Sequence, residues 1–355
     1  MTAPVLIMAG GTGGHIFPGL AVAQVLRERG VPVAWMGAAG AMETRLVPAA
    51  GIDLHLLDIG GLRGKSLATL LTAPWRLLRA LARASAILGR IKPRCVISFG
   101  GYAAGPGGLA AALRRVPLLV HEQNRVAGAT NRILARRARR VMAGFPDVLA
   151  GAQWLGNPVR PEISALPAPD QRMTGRSGPA RLLVVGGSLG AAVFNRMLPP
   201  ALALMPPEQR PQVRHQCGRD QEQVTRQAYE QAGVQADVSA FIDDMAQAYA
   251  WADLALCRAG ALTVAELASA GLASVLVPFP HAVDDHQTAN ARFLVEHEAA
   301  LLLPQTELTA DSLAATLGQI LQPPGRVLAM AQAARACARP DAAERVADAC
   351  LEVAR

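Results

Sequence analysis

Residues 5–15 read VLIMAGGTGGH and residues 182–191 read LLVVGGSLGA, each an apolar run of strand length ending in a glycine-rich turn. A continuous apolar run of this length suits a strand buried on both faces, as in a parallel sheet. The glycines that follow allow the backbone to turn sharply into a helix and to approach a ligand closely. Working outward from the first stretch, Val31–Met36, Arg94–Phe99 and Val116–Val120 read as further buried strands. Helix-like stretches, Phe17–Arg29, Leu67–Arg90 and Ala127–Arg137, lie between them. From Arg181–Val185 the alternation starts again, with strands near Val213–Cys217, Ala252–Cys257 and Ala273–Pro278 before a final helical stretch. Strands alternating with helices predict α/β architecture, here two Rossmann-like, doubly wound units. The stretch 165–180, ALPAPDQRMTGRSGPA, breaks the pattern and reads as the linker. Two such units would leave a cleft faced by the carboxyl ends of both sheets, where open α/β sheets bind their ligands.

Charge divides the chain as sharply as the motifs do. Residues 1–160 carry 20 Lys and Arg against 6 Asp and Glu, a balance of +14, whereas residues 161–355 carry 15 against 21, a balance of −6. The basic half calls for a polyanionic partner. Aromatic residues make up only 4% of the chain and no nucleic-acid-binding motif is present, which favours membrane phosphates over nucleic acid. The five cysteines show no paired spacing and read as reduced, buried thiols of a cytoplasmic protein. No basic residue precedes Arg27, so the amino-terminal run reads as a strand and not as a secretory signal.

Several motifs carry chemistry. His15 follows the first glycine loop at a helix start, where the dipole favours a neutral imidazole able to accept a proton; packing at the loop is the alternative. His121-Glu122-Gln123-Asn124 gathers four polar side chains at the end of a buried strand, as a site or as a structural network. In Arg258-Ala-Gly-Ala-Leu-Thr263-Val-Ala-Glu266, Thr263 and Glu266 have the spacing of a capping box. The competing reading puts that helix N-terminus on a diphosphate and Glu266 on a ribose diol. A nicotinamide enzyme is disfavoured, because the first loop lacks G-x-G-x-x-G and Met36-Gly37-Ala38 supplies no acid. Asp243-Asp244 and Asp284-Asp285 lack accompanying ligands and read as acids at helix starts, so neither metal nor cofactor is expected. Leu67, Leu70, Leu71, Trp75, Leu78 and Leu81 recur at helical spacing among Lys65, Arg76, Arg79 and Arg83. Such a stripe lies on an anionic leaflet or packs into the chain's own core.

Taken together, GGTGGH (10–15), GGYAAGPGG (100–108), HEQN (121–124), GNPVR (156–160), GGSLGA (186–191), FIDDM (241–245), RAGALTVAE (258–266) and DHQTAN (285–290) resemble the MurG family of peptidoglycan N-acetylglucosaminyltransferases. The resemblance runs in order from residue 5 to about residue 300 and implies a GT-B fold with a central cleft. It implies an acceptor and membrane-associated domain (1–163), a UDP-GlcNAc-binding domain (164–340) and a C-terminal helix (341–355) that packs back on the first. The implied reaction is inverting transfer of GlcNAc from UDP-GlcNAc to the C4 hydroxyl of MurNAc in undecaprenyl-diphospho-MurNAc-pentapeptide, turning lipid I into lipid II. A UDP-GlcNAc 2-epimerase-like isomerase is the alternative. Also implied is peripheral attachment to the cytoplasmic face of the inner membrane, with cell-wall and division proteins as candidate partners. By the same resemblance the nucleotide sugar is held by Thr12, Gly13, Gly14, Asn124, Arg160, Ser188, Ile242, Ala261, Leu262, Thr263, Val264, Ala265, Glu266 and Gln287. His15 or Glu122 acts as the base, and His286 has no assigned role.

Overall fold

The computed structural model describes residues 3–60, 67–187, 189–323 and 325–353, with the side chains of 67–73 and 283 outside the description. Thirteen strands occur among the described residues: β1 Val5–Ala9, β2 Val33–Ala38, β3 Asp53–Leu57, β4 Cys95–Gly100, β5 Leu118–Glu122, β6 Arg140–Ala143, β7 Gln153–Trp154, β8 Arg181–Val185, β9 Gln212–Gln216, β10 Asp237–Ser239, β11 Leu254–Cys257, β12 Ala273–Leu276 and β13 Ala300–Leu302. Helices α1 to α7 are Gly13–Glu28, Glu43–Ala49, Leu67–Ile91, Ala104–Leu113, Ala129–Ala135, Pro161–Ser164 and Pro169–Met173. Helices α8 to α15 are Ala192–Ala203, Glu222–Gln231, Met245–Trp251, Ala261–Ala270, His286–Val295, Ala310–Leu321, Arg326–Ala336 and Ala342–Val353.

The chain forms two units, residues 1–160 with 339–355, and residues 161–338. Each is built on one parallel sheet. The first runs β3-β2-β1-β4-β5-β6-β7 and the second β10-β9-β8-β11-β12-β13, the same Rossmann order. Strand order reverses between β1 and β4 in one sheet and between β8 and β11 in the other, which puts both glycine loops at switch points. The central strands are buried on both faces, as their unbroken apolar runs require.

Helices seal the sheets by close approach. A Cβ on Gly19 would stand 2.6 Å from the Trp35 ring, so α1 can lie against β2 only with glycine there. The indole of Trp35 then donates to the Ala9 carbonyl at 2.9 Å, fixing the end of β1. Along α3 the described part of the apolar stripe divides: Leu81 packs on the first core, whereas the side chains of Leu67, Leu70 and Leu71, with Lys65, lie outside the described residues. Ala80, Ala84, Ile87 and Leu88 are buried in the first core, while Trp75 (66% exposed) and Leu78 (57% exposed) stand in solvent beside exposed Arg76 and Arg79.

Helix α15 belongs to the first unit. Val346, Ala347, Cys350 and Val353 join a core with Val22 and Leu26 of α1, and Arg29–Asp348 (2.5 Å) and Arg140–Glu352 (2.8 Å) pair at the surface. All five cysteines are buried thiols, and no disulfide joins them. Residues 165–180, expected to link the units, lie inside the second one and carry α7. Arginines hold that stretch in place by capping helix C-termini. Arg172 donates to the carbonyls of Ala270 and Gly271 at the C-terminal end of α11, and Arg176 to those of Ala250, Trp251 and Ala252 at the C-terminal end of α10 and to Asp253.

Candidate active site

In the first unit the loop Gly10–Thr12 leads into α1, with Thr12 at the N-cap position, exposed and making no side-chain cap hydrogen bond. Gly13, Gly14 and His15 form the half-buried first turn. The His15 Nδ1 lies 3.2 Å from the Gly10 carbonyl oxygen. A carbonyl only accepts, so Nδ1 carries a proton, and in the neutral ring the lone pair is on Nε2. A Cβ on Gly100 (φ +100°) would stand 3.3 Å from that Nε2, so the glycine at the end of β4 leaves room for the ring. Arg160 lies over the ring of Phe17, one turn along α1, at 5.9 Å.

The HEQN stretch resolves into roles that the sequence left open. His121 is fully buried, and burial lowers its pKa to about 4, so it stays neutral. Its Nε2 bonds the Gly156 carbonyl at 2.9 Å and its Nδ1 meets the Gln123 amide at 3.1 Å. Glu122 is buried too, and both carboxylate oxygens are engaged. Oε1 accepts from the backbone N–H (3.0 Å) and side-chain amide (3.3 Å) of Asn124, and Oε2 from the Gly128 N–H (3.1 Å) and the Asn131 amide (3.0 Å). A carboxylate with four donors is a clamp for the loop after β5, which weakens its candidacy as a base. Half-buried Asn124 is held by that clamp. Asn131, which the motif reading did not single out, ties Glu122 and the His121 carbonyl to Ser98 of β4.

In the second unit α11 starts at Ala261 with Gly260 as its N-cap. Thr263 therefore lies inside the helix, and the capping-box reading of Thr263 and Glu266 fails. The first intrahelical bond is from Val264 N–H to Gly260, which leaves the N–H groups of Ala261, Leu262 and Thr263 as the helix's terminal donors. Val264 is buried in the core and Ala265 half-buried. Glu266 is buried, with its Oε2 accepting from the Tyr249 hydroxyl at 3.0 Å. Tyr249 of α10 thus orients Glu266, a contact that sequence reasoning missed; its only signal was a tyrosine in a short, uncharged helix.

Gln287 lies in the first turn of α12, and its Oε1 accepts from the N–H groups of Ala259 (3.2 Å) and Phe279 (2.9 Å), bridging the loops after β11 and β12. Its amide oxygen is thereby committed to the scaffold. Asp284 and Asp285 both adopt left-handed backbone angles just ahead of it, beside half-buried His286. Ile242 is half-buried before α10, where Asp244 caps the helix through Gln247 N–H at 2.8 Å. The Ser188 position lies outside the described residues. Among the described residues, no group of three or more His, Cys, Asp and Glu side chains could hold a metal ion.

The most consequential residue absent from the sequence reading is Glu43, fully buried at the start of α2. It accepts from Ala38 N–H at 2.8 Å and from Gly11 N–H at 3.0 Å, tying the end of β2 to the glycine loop.

The Glycosyltransferase family 28 N-terminal domain matches residues 5–143 and the Glycosyltransferase family 28 C-terminal domain residues 181–346. The UDP-N-acetylglucosamine–N-acetylmuramyl-(pentapeptide) pyrophosphoryl-undecaprenol N-acetylglucosamine transferase of Xanthomonas campestris pv. campestris is 60% identical over 351 residues, 99% of this chain and 82% of that one. Its counterpart of the same name from Alkalilimnicola ehrlichii is 58% identical over 357 residues, the whole of both chains. The crystal structure of Acinetobacter baumannii MurG is similar at a TM-score of 0.87 and 41% identity, covering 99% of this chain and all of that one. UDP-GlcNAc 2-epimerase from Neisseria meningitidis, at 12% identity and a TM-score of 0.68 over 98% of this chain and all of that one, shares the fold alone. With two Rossmann units and full-length relatives of this kind, the chain belongs to the MurG family of family 28 glycosyltransferases.

Proposed function

We propose that the protein transfers GlcNAc from UDP-GlcNAc, with inversion, to the C4 hydroxyl of MurNAc in undecaprenyl-diphospho-MurNAc-pentapeptide. High identity over the whole of full-length relatives that bear this activity in their names carries the reading. The 2-epimerase alternative rests on a likeness of fold alone. In inverting displacement the acceptor oxygen attacks C1 as its proton leaves, and the C1–oxygen bond to UDP breaks with its electron pair going to the diphosphate. His15 supplies the base at Nε2, since Nδ1 is committed to Gly10. The N–H groups of Ala261, Leu262 and Thr263, with the α11 dipole behind them, receive the departing charge. Glu266, steadied by Tyr249, takes the ribose diol.

The lipid acceptor places this reaction at a membrane. No helix among the described residues is long and apolar enough to cross one. Exposed Trp75 and Leu78, flanked by Arg76 and Arg79, support peripheral attachment to an anionic leaflet on its cytoplasmic face.

His15→Ala tests the base. We expect kcat to fall by about 10²- to 10⁴-fold with UDP-GlcNAc affinity nearly intact. Near-normal kcat in the variant would remove histidine from the mechanism.

A further inference from the structure

We propose that Glu43 is a positioning residue for the proton transfer, acting on His15 through the single peptide group that joins Gly10 to Gly11. This rests on the reading of His15 as the base. The N–H of that peptide group donates to Glu43 Oε2 at 3.0 Å, and its C=O accepts from His15 Nδ1 at 3.2 Å. A buried carboxylate and an imidazole therefore sit on opposite ends of one peptide dipole. The carboxylate draws the N–H toward itself, the carbonyl oxygen becomes a stronger acceptor, and the Nδ1 proton is held more firmly. Electron density is thereby pushed toward Nε2, the atom that must take the acceptor's proton. An acidic group directly on a catalytic histidine has the same effect; here a peptide bond stands between them.

The surroundings are shaped to this linkage. A Cβ on Gly10 would stand 2.2 Å from Glu43 Oε1, and one on Gly37 would stand 2.7 Å from Glu43 Cγ. A Cβ on Gly101 would stand 2.5 Å from the Gly10 oxygen. Three glycines thus admit the carboxylate on one side of the peptide and the β4–α4 loop on the other. The second oxygen of Glu43 is fixed by Ala38 N–H, so the carboxylate cannot swing away.

Strands β1, β2 and β4, against which α1 packs, bring no charged side chain. Glu122 at the end of β5 is joined to Asn131 of α5, Arg160 lies over Phe17, and the α15 carboxylate of Asp348 pairs with Arg29 just beyond the far end of α1.

The test combines Glu43→Gln, His15→Ala and the double variant with acceptor-transfer kinetics across pH. In Glu43→Gln we expect kcat to fall roughly 10- to 100-fold, the scale of groups standing behind a histidine, with UDP-GlcNAc affinity unchanged. The acid limb of kcat should move to lower pH by about 0.5 to 1.5 pH units, the effect of removing one charge a peptide group away. In the His15→Ala background the same change should cost less than about 2-fold, because the histidine it acts through is gone. An unmoved acid limb, or a full loss of rate in the His15→Ala background, would overturn the linkage and leave Glu43 a loop prop. Near-normal kcat in His15→Ala would instead bring down the base reading beneath it. Should Glu43→Gln fail to fold, ¹⁵N NMR of the histidine-labelled wild-type protein decides. A proton on His15 Nδ1 that exchanges slowly is expected; an Nε2–H tautomer refutes the proposal.

Discussion

The two glycine loops open on near-identical strands at equivalent switch points, yet their glycines do different work. In Gly10–Gly14 the missing side chain of Gly10 makes room for a carboxylate, Glu43, which holds the loop from below. In Gly186–Gly190 the glycines make room for backbone. A Cβ on Gly186 would stand 2.1 Å from Ala191 N, and one on Gly190 would stand 2.2 Å from the Cys217 oxygen at the end of β9. The same motif thus ends in a polarised peptide beside a histidine in one unit and in glycines pressed against main chain in the other. A glycine run by itself does not announce a phosphate cradle; what fills the space left by each Cβ decides.

Alanine substitutions separate the two cases. Gly190→Ala meets rigid main chain at a left-handed backbone (φ +74°), so we expect the larger stability loss, about 2–4 kcal/mol, read as a lowered melting temperature. Gly10→Ala meets a side chain, so its main effect should fall on kcat through displaced Glu43, with a smaller loss of stability. Equal melting temperatures and equal rates for the two variants would erase the distinction.

A smaller effect sharpens the second unit's side of the comparison. Glu266→Ala should weaken UDP-GlcNAc binding by about 1.5–3 kcal/mol while leaving acceptor affinity alone. Since Thr263 and Glu266 form no capping box, unchanged donor affinity in a folded variant would remove Glu266 from the ribose. Smallest is the surface term. Replacing Trp75, Leu78 and Arg79 together should reduce binding to anionic vesicles, at roughly 1 kcal/mol per basic residue near the leaflet, without lowering turnover on a soluble acceptor. Unchanged vesicle binding would move the attachment surface elsewhere.

The central strands and both switch-point loops were legible because a strand buried on both faces needs an unbroken apolar run. The strands at or next to the sheet edges were not. Asp53–Leu57, Arg140–Ala143, Gln153–Trp154, Asp237–Ser239 and Ala300–Leu302 are short or polar and owe their pairing to a neighbour rather than to their own pattern. The stretch 165–180 looked like a linker because its proline and glycine content hides Arg172 and Arg176, whose partners are carbonyls 74 to 99 residues away. His15 could be read from its place after the loop. Glu43 could not, because its partners are backbone N–H groups, which leave no trace in side-chain spacing. The one available signal was a lone acid in the otherwise apolar and basic stretch between residues 30 and 52.

The central claim is the transfer itself. The most direct measurement incubates the protein with radiolabelled UDP-GlcNAc and a lipid I analogue and follows the label. The account predicts that label moves onto the lipid-linked MurNAc in a β linkage, in step with UDP release, and that His15→Ala abolishes most of it. Label that never reaches the acceptor, or appears only as an epimerised UDP-sugar, would contradict it.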